Sequence, residues 1–521
     1  MREGTPKHMQ KQKEMLFYPG LIFLICIGLK IIPATFPSLT PDACCYLDIA
    51  RNIANCKGAI TSYNLYQYWP GVYYPALAYT HCLFSIVIAP IYAIFRTVEA
   101  VNLFNVFISG INAILLYFLL CRRYKTAVAF WAALTVSIAP GMQETAMYPW
   151  TEQLFILVLL SSISAILYSF EKESTPKIFF SGVIIGVIFL VRAAGTFSVI
   201  SLIAAALVYQ LLVKKNIKQW WVLLSGALLI PVGYELFCLL QYHVFYPENF
   251  KAVNRYMLAN SFGGGFYQAV KPVLQSTAAN GHAAMLSDFF NHVIYIMTRL
   301  PGLTVFILPL GYFVFYRKNL LEISLFMVVV INIVGHAFNW AVNPIISSDT
   351  NRYLLVLVIG LIPLVFIFLY EILEALKKQL SAWYSPVIFG YAVALVFLPF
   401  LYNALTQNLY FSSRAALSEK QKIVALENDV FSWIQKNTNP DDIVATDYYQ
   451  RVFALDRPVV PLPKGKMLTE INFKSYTQIY RPKCVLTISM DYSKFLTVAG
   501  YSVKFSRGLF NVWTKDSPNL S

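Results

Sequence analysis

Apolar runs long enough to cross a lipid bilayer recur along most of this chain of 521 residues. The first, Leu16–Phe36, is almost uncharged, and about 20 residues of helix span the hydrocarbon of a bilayer. A composition of 58% hydrophobic and only 13% charged residues excludes an ordinary soluble protein. The sequence therefore predicts a polytopic α-helical membrane protein.

The basic residues predict how the chain is oriented. They gather in short loops between the apolar runs, so the net charge of +15 indicates membrane orientation rather than nucleic-acid binding. The basic segment 1–15 is predicted to be a cytoplasmic N-terminus, and so is the loop around Arg122, Arg123 and Lys125. That loop would fall outside if Ala78–Phe95 also crossed the membrane. We therefore predict that this short run, interrupted by Pro90, is a juxtamembrane helix on the outer surface.

Alternation from this starting point predicts about eleven spans within a membrane domain at 16–403, with external loops at 37–100 and 246–291. The predicted spans are Leu16–Phe36, Val101–Cys121, Thr126–Pro140, Thr151–Phe170, Ile178–Ala194, Thr196–Val213, Trp220–Phe245, Ile294–Tyr316, Leu320–Trp340, Arg352–Leu373 and Trp383–Tyr402. Gly182 and Gly186 have the small-xxx-small spacing of packed membrane helices.

Residues 404–521 have a different composition, in which charged residues alternate with short apolar runs. We predict a small external α/β domain that begins with a helix at Glu419–Lys436. Its predicted strands are Ile443–Asp447, Pro458–Leu462, Cys484–Ser489, Tyr501–Phe505 and Leu509–Thr514.

None of the eight cysteines has the spacing of a metal site, so no cofactor is predicted, although a divalent metal stays open. Four of them, Cys44, Cys45, Cys56 and Cys82, lie in the first external loop. They are either free apolar cysteines, which we favour, or include one disulfide.

Acidic and basic side chains from distant segments are predicted to share the outer face: Asp42, Asp48, Arg51, Lys57, Glu144, Glu152, Arg192 and Arg352. A carboxylate and guanidinium groups in one place suit a reaction that needs a general base and a cation for a phosphate leaving group. Each residue also has a structural interpretation. Asp42 can be a solvated flank, Glu152 a helix cap, Arg192 a snorkelling side chain and Arg352 an interfacial anchor.

An aromatic run at 63–74, which ends at Tyr74, has two interpretations. Its rings can stack on a sugar or a lipid chain, or they can form the interfacial belt that tyrosine and tryptophan make for physical reasons alone. We favour the belt.

Several short motifs together resemble the GT-C superfamily of integral-membrane glycosyltransferases. They are D-x-x-x-Y-x-x-I-A-R-N-I-A at 42–54, Tyr74-Pro75-Ala76-Leu77 opening the juxtamembrane helix, Thr151-Glu152-Gln153-Leu154-Phe155, Leu190-Val191-Arg192 and Asn351-Arg352-Tyr353-Leu354-Leu355. The resemblance is strongest to the branch that contains the protein O-mannosyltransferases and the lipid A aminoarabinose transferase.

The resemblance implies inverting transfer of a sugar from a polyprenyl phosphate to an acceptor hydroxyl on a glycan, lipid or protein. Asp42 would be the general base, and Arg352 and Arg192 would bind the donor phosphate. Substrate-positioning roles would fall to Glu152, Tyr74, Tyr353 and Asp48. The implied location is a plasma membrane, which in a bacterium is the inner membrane, with the active face and the C-terminal domain outside.

One departure from the family stands out: relatives often have a second acid directly after the aspartate, where this chain has Ala43. This difference argues against a paired-carboxylate or metal-dependent scheme. Two other functions stay open, a flippase or transporter of lipid-linked sugars and a non-catalytic membrane scaffold. The scaffold predicts that replacing Asp42 has no effect.

Overall fold

The structure is a computed structural model. It describes residues 7–35, 40–61, 76–77, 82–192, 195–242, 286–296, 307–342, 350–377, 384–411, 414–448, 452–455, 457–463 and 468–515.

Every predicted span contains a helix. The helices up to the large external loop are α1 (Lys7–Gly28), α2 (Ile31–Ala34), α3 (Pro41–Ala54), α4 (Leu83–Phe95), α5 (Val98–Cys121), α6 (Thr126–Ile138), α7 (Pro140–Met147), α8 (Glu152–Lys172), α9 (Thr175–Val191), α10 (Gly195–Tyr209, continued by a π-helical turn at Gln210–Lys214) and α11 (Lys218–Tyr242). A helical stretch at 286–296 precedes α12 (Ile307–Arg317), α13 (Leu320–Val342), α14 (Thr350–Lys377) and α15 (Tyr384–Phe411).

Six of the described helices are long and apolar enough to cross a membrane by themselves. A seventh span results if α6 and α7, which meet at a bend of 55°, are counted together. The fold is therefore that of a multi-pass helical membrane protein, while the number of about eleven spans and the domain boundaries stay predictions.

The juxtamembrane helix differs in detail from the prediction. Helix α4 starts at Leu83 rather than Ala78, and its 13 residues are too short to cross about 30 Å of hydrocarbon. Ala76 and Leu77 do not open this helix, because they form strand β2 (Ala76–Leu77), which pairs antiparallel with β1 (Ile60–Thr61). This pairing places Thr61 beside Ala76.

The helix bundle has two poles that differ in their polar residues. Helix α8 begins at Glu152 and carries Glu171 near its other end, about 29 Å away at 1.5 Å per residue. At the Glu171 end, Arg123 binds Glu171 at 2.6 Å, and Lys125 binds Glu374 of α14 at 2.9 Å. We call this end the basic pole and the opposite end, where α8 and α14 begin, the site pole. The loops predicted to be cytoplasmic around Arg123 thus lie at the opposite pole from Glu152.

Helices α9 and α11 pack closely because both carry glycine at their contact. A Cβ atom on Gly182 would lie 2.2 Å from the carbonyl oxygen of Leu223, and one on Gly226 would lie 2.2 Å from that of Phe179. A Cβ atom on Gly186 would likewise lie 2.8 Å from the carbonyl oxygen of Ala227. The predicted packing role of the Gly182 and Gly186 pair is confirmed.

The C-terminal part is an α/β domain built on one mixed sheet. All of its predicted strands are present: β3 (Val444–Thr446), β4 (Val459–Pro461), β5 (Cys484–Thr487), β6 (Tyr501–Arg507) and β7 (Phe510–Lys515), in the order β4-β3-β5-β7-β6. Strands β3, β4 and β5 run parallel, whereas β7 is antiparallel to both β5 and β6. The predicted helix at Glu419–Lys436 is confirmed within α16 (Arg414–Asn437).

Helices cover both faces of this sheet. Helix α16 buries Phe431 and Ile434 against one face, while α17 (Glu470–Tyr480) and α18 (Ser493–Val498) bury Phe473 and Leu496 against the other. The 3₁₀ turn Val452–Leu455 packs against α3. The domain therefore contacts the helix that begins beside Asp42.

Candidate active site

The chain around Asp42 favours a helix that begins one residue earlier. The Thr40 hydroxyl accepts a hydrogen bond from the Ala43 amide, which caps the helix, and Pro41 occupies its first position. An acid in the first turn interacts favourably with the helix dipole. These local preferences place Asp42 at the N-terminal end of α3.

Four of the predicted residues form one chain of ion pairs at the site pole. Arg352, in the first turn of α14, donates through Nη1 to Asp42 Oδ2 at 2.5 Å and through Nε to Glu152 Oε1 at 2.7 Å. Arg192, which ends α9, donates through Nη1 to the same Glu152 oxygen at 3.0 Å. Residues from four separate segments thus meet in a row in which carboxylates and guanidinium groups alternate: Asp42, Arg352, Glu152 and Arg192.

The exposure of these side chains indicates the direction of access. The Asp42 side chain is 29% exposed, whereas those of Arg352 and Arg192 are 8% and 11% exposed and that of Glu152 is completely buried. The second oxygen of Glu152, Oε2, is buried and accepts no hydrogen bond from the described residues. Asp42 is therefore the carboxylate that a substrate can reach, and Glu152 lies behind the two arginines.

Two aromatic residues at this site were not among the predicted site residues. The Arg352 guanidinium lies over the ring of Trp150, with 4.0 Å from its central carbon to the ring centroid. Tyr46 lies one turn after Asp42 on α3, and burial, together with the charge of Asp42, raises its pKa well above the usual range. The sequence offered one signal for each residue. Tyr46 follows Asp42 by four positions, which is about one helical turn, and Trp150 precedes Glu152 by two.

The remaining predicted site residues are Asp48, Tyr74 and Tyr353. Asp48 is completely buried two turns further along α3, where Arg51 binds it at 2.6 Å. Tyr74 lies outside the described residues, and the side chain of Tyr353 also falls outside them. The roles predicted for these three residues stay predictions.

In the part of the chain that the structure describes, Cys56 and Cys82 of the first external loop are free thiols. Cys44 and Cys45 are buried apolar residues of α3, which was the favoured interpretation. Among the described residues, no three His, Cys, Asp or Glu side chains are grouped to hold a metal ion.

Chemically, the site combines the partly exposed carboxylate of Asp42 with the guanidinium of Arg352, which Glu152 and Trp150 hold in place. A carboxylate can accept a proton from a hydroxyl, and a guanidinium can bind a phosphate through parallel hydrogen bonds. The two acids and two arginines balance in formal charge, so the site carries no net charge before a ligand binds.

Comparison with known families and structures identifies the fold. The sequence profile of the dolichyl-phosphate-mannose-protein mannosyltransferase family matches residues 80–234. The crystal structure of ArnT from Cupriavidus metallidurans bound to undecaprenyl phosphate superposes with a TM-score of 0.59 at 13% identity, covering 96% of this chain and 98% of ArnT. The chain has the GT-C fold.

The GT-C fold is also shared with the oligosaccharyltransferase AglB of the archaeon Archaeoglobus fulgidus, in complex with an inhibitory peptide and a dolichol-phosphate. That match has a TM-score of 0.55 at 13% identity and covers 98% of this chain and 75% of AglB. No sequence among the curated proteins is a significant match to this chain. The resemblance inferred from the short motifs is confirmed at the level of the GT-C fold.

Proposed function

We propose that this protein is an inverting glycosyltransferase that moves a sugar from a polyprenyl phosphate to an acceptor hydroxyl at the outer face of the membrane. One observation carries the proposal: the reachable carboxylate of Asp42 lies 2.5 Å from Arg352, and Arg352 is held from behind by the buried Glu152. A base and an anion-binding cation stand side by side, as a single displacement at a sugar phosphate requires.

Asp42 is the general base in this proposal. The acceptor hydroxyl oxygen attacks the anomeric carbon and gives its proton to the Asp42 carboxylate. The bond between that carbon and the phosphate oxygen breaks in the same step. A single displacement inverts the configuration at the anomeric carbon.

Arg352 and Arg192 bind the donor phosphate, which gains negative charge as it leaves. The guanidinium of Arg352 is in place before the reaction, so it stabilises that charge without a large rearrangement. Arg352 also contacts Asp42 in the structure, so donor phosphate and Asp42 compete for the same group. Binding of the donor then loosens Asp42 from Arg352 and leaves its carboxylate available to the acceptor.

Glu152 acts through the two arginines rather than on the sugar. Its side chain is fully buried, and one oxygen accepts from both guanidinium groups. A buried carboxylate between two cations offsets their repulsion and fixes their separation. We therefore propose that Glu152 positions the two arginines and does not position the sugar directly.

The class of donor is supported by the ligands of the structural relatives. ArnT is described with undecaprenyl phosphate and AglB with dolichol-phosphate. Both are long-chain isoprenoid phosphates, which agrees with a phosphate-binding pair at the end of a membrane bundle. The sugar, and an acceptor among glycans, lipids and proteins, are for experiment to identify.

We place the basic pole in the cytoplasm, because Arg and Lys are enriched in cytoplasmic loops. The site pole and the C-terminal domain then face outward, and the N-terminus lies inside. Most of the predicted external loop at 246–291 lies outside the described residues.

The test is mass spectrometry of membrane lipids from source cells that carry the wild-type protein, no protein or Asp42→Asn. We expect one polyprenyl-phosphate sugar to accumulate in both deficient strains, and its mass identifies the class of donor sugar. Accumulation only in the strain without the protein would exclude Asp42 as the base and favour transport or scaffolding. Unchanged lipids in all three strains would contradict the proposed function.

A further inference from the structure

We propose that Trp150 is a positioning residue that fixes the plane of the Arg352 guanidinium and joins it to the start of α3. This inference rests on the proposed function in one respect only, which is that the anion bound by Arg352 is a phosphate.

The guanidinium of Arg352 is held along its edge and on its face. Asp42 and Glu152 take up its Nη1 and Nε positions at 2.5 and 2.7 Å, and the Trp150 ring covers its face at 4.0 Å. Hydrogen bonds along an edge define where a planar group sits, but they leave it free to tilt. A ring against the face removes that tilt.

Trp150 is itself held by groups outside the ion-pair chain. Its indole Nε1 donates to the Thr40 hydroxyl at 2.6 Å, and its ring lies against that of Tyr148 at 4.6 Å between centroids. Asn105 of α5 donates through Nδ2 to the carbonyl oxygens of both Trp150 and Tyr148, at 3.1 and 2.6 Å. Trp150 is 4% exposed, so its ring is enclosed and cannot turn without breaking its contacts with Thr40 and Tyr148.

Thr40 links Trp150 to the helix that carries Asp42. The same hydroxyl that accepts from Trp150 also accepts from the Ala43 amide and so caps α3. One indole ring therefore contacts the cation through its face and the first turn of the Asp42 helix through its edge. The Arg352 guanidinium and the start of the Asp42 helix are therefore oriented relative to each other before any substrate arrives, which lowers the cost of organising the site.

The interaction energy of a cation with an aromatic face is largest where water is excluded, as it is at Trp150. The effect of losing it should appear in phosphate binding, and it should depend on the presence of Arg352. A ring with a purely structural role would instead weaken the whole fold to the same degree with or without Arg352.

The experiment uses the full chain in lipid nanodiscs and undecaprenyl phosphate as the probe. We expect Trp150→Leu to weaken binding about 30-fold, because it removes a desolvated cation–π contact. Trp150→Phe keeps an aromatic face and loses the N–H donor, so we expect a loss of about threefold to tenfold from one hydrogen bond. Thr40→Val should resemble Trp150→Phe, and Thr40→Ser should bind as the wild type does.

The decisive comparison repeats Trp150→Leu in an Arg352→Gln background. If the ring acts through Arg352, the second substitution adds less than twofold to the loss caused by the first. Trp131→Leu is the matched control. Trp131 lies in the middle of α6, where its ring meets that of Phe397 edge-on, and its loss should leave binding unchanged even if the protein becomes less stable.

Two results would overturn the inference while leaving the proposed function intact. One is binding by Trp150→Leu within twofold of the wild type when Arg352→Gln is strongly weakened. The other is the same loss from Trp150→Leu in both backgrounds. If Arg352→Gln itself binds the probe as the wild type does, the phosphate site is wrong and both proposals fall together. Should Trp150→Leu not fold, Trp150→Phe and the two Thr40 variants carry the test.

Discussion

Replacing Arg352 by lysine tests the geometry of the site rather than its charge. The guanidinium reaches two carboxylates at once, Asp42 through Nη1 and Glu152 through Nε. A lysine ammonium is a compact charge on a flexible stem, and it cannot reproduce two hydrogen bonds that leave one rigid planar group in fixed directions. The variant keeps the net charge of the site and loses one of the two bonds.

The size of the effect follows from these contacts. A hydrogen bond to a charged group contributes about 1.5–3 kcal/mol, and the poorer packing of an ammonium on Trp150 adds a fraction of that. A total of about 2–3 kcal/mol corresponds to a loss of roughly 30- to 150-fold in transfer rate, since each 1.36 kcal/mol is tenfold. We expect the loss of transfer rate in Arg352→Lys to fall in this range.

The assay follows the polyprenyl-phosphate sugar that accumulates in cells whose only copy of the protein carries the variant. Arg317→Lys is the matched control, because Arg317 also lies between two carboxylates, Glu322 at 3.7 Å and Glu371 at 3.1 Å, but at the basic pole. It should leave the lipid profile as in the wild type. A profile for Arg352→Lys that matches the wild type would refute the role of Arg352 in the site.

Three further outcomes are expected. Glu152→Gln leaves two buried guanidinium groups without their shared carboxylate, so it should lower stability by about 3–5 kcal/mol, measured as a lower midpoint of thermal unfolding in detergent. Unaltered unfolding would show that Glu152 does not hold the arginines. Gly182→Ala forces a methyl group against the backbone of α11 and should cost about 1–3 kcal/mol by the same assay, whereas Gly233→Ala, with nothing within 4 Å, should cost little. Equal effects of the two alanines would contradict the close packing. In intact cells, a membrane-impermeant maleimide should label the exposed Cys56, with the signal lost in Cys56→Ser. Arg122→Cys added to the Cys56→Ser protein should not restore the label, and labelling there would reverse the orientation proposed for the bundle.

The helices and strands were largely predictable because their signals are local. A membrane span needs about 20 apolar residues wherever it occurs, and a strand of the external domain alternates polar and apolar residues over a few positions. The strand at Ala76–Leu77 was missed because two residues carry no periodic signal. Its partner, Ile60–Thr61, is recognised only when the chain folds back on itself.

The candidate site was predictable as a set of residues but not as an arrangement. Sidedness indicated that Asp42, Glu152, Arg192 and Arg352 would share one face, and the structure brings all four together. It also places Asp48, a predicted substrate-positioning residue on the same helix, in a buried ion pair with Arg51. Asp42 and Asp48 differ by 6 positions, which on a helix turns the two side chains to different faces.

By itself, then, the sequence determined the class of the protein, the positions of its helices and strands and the residues that compete for a site. Only the tertiary structure decided that Arg352 contacts Asp42 across 310 positions, that Glu152 is buried behind both arginines, and that Trp150 lies under the guanidinium. The physical reason is range. Hydropathy and helix capping act over one or two turns, whereas these contacts exist only where helices distant in sequence pack side by side.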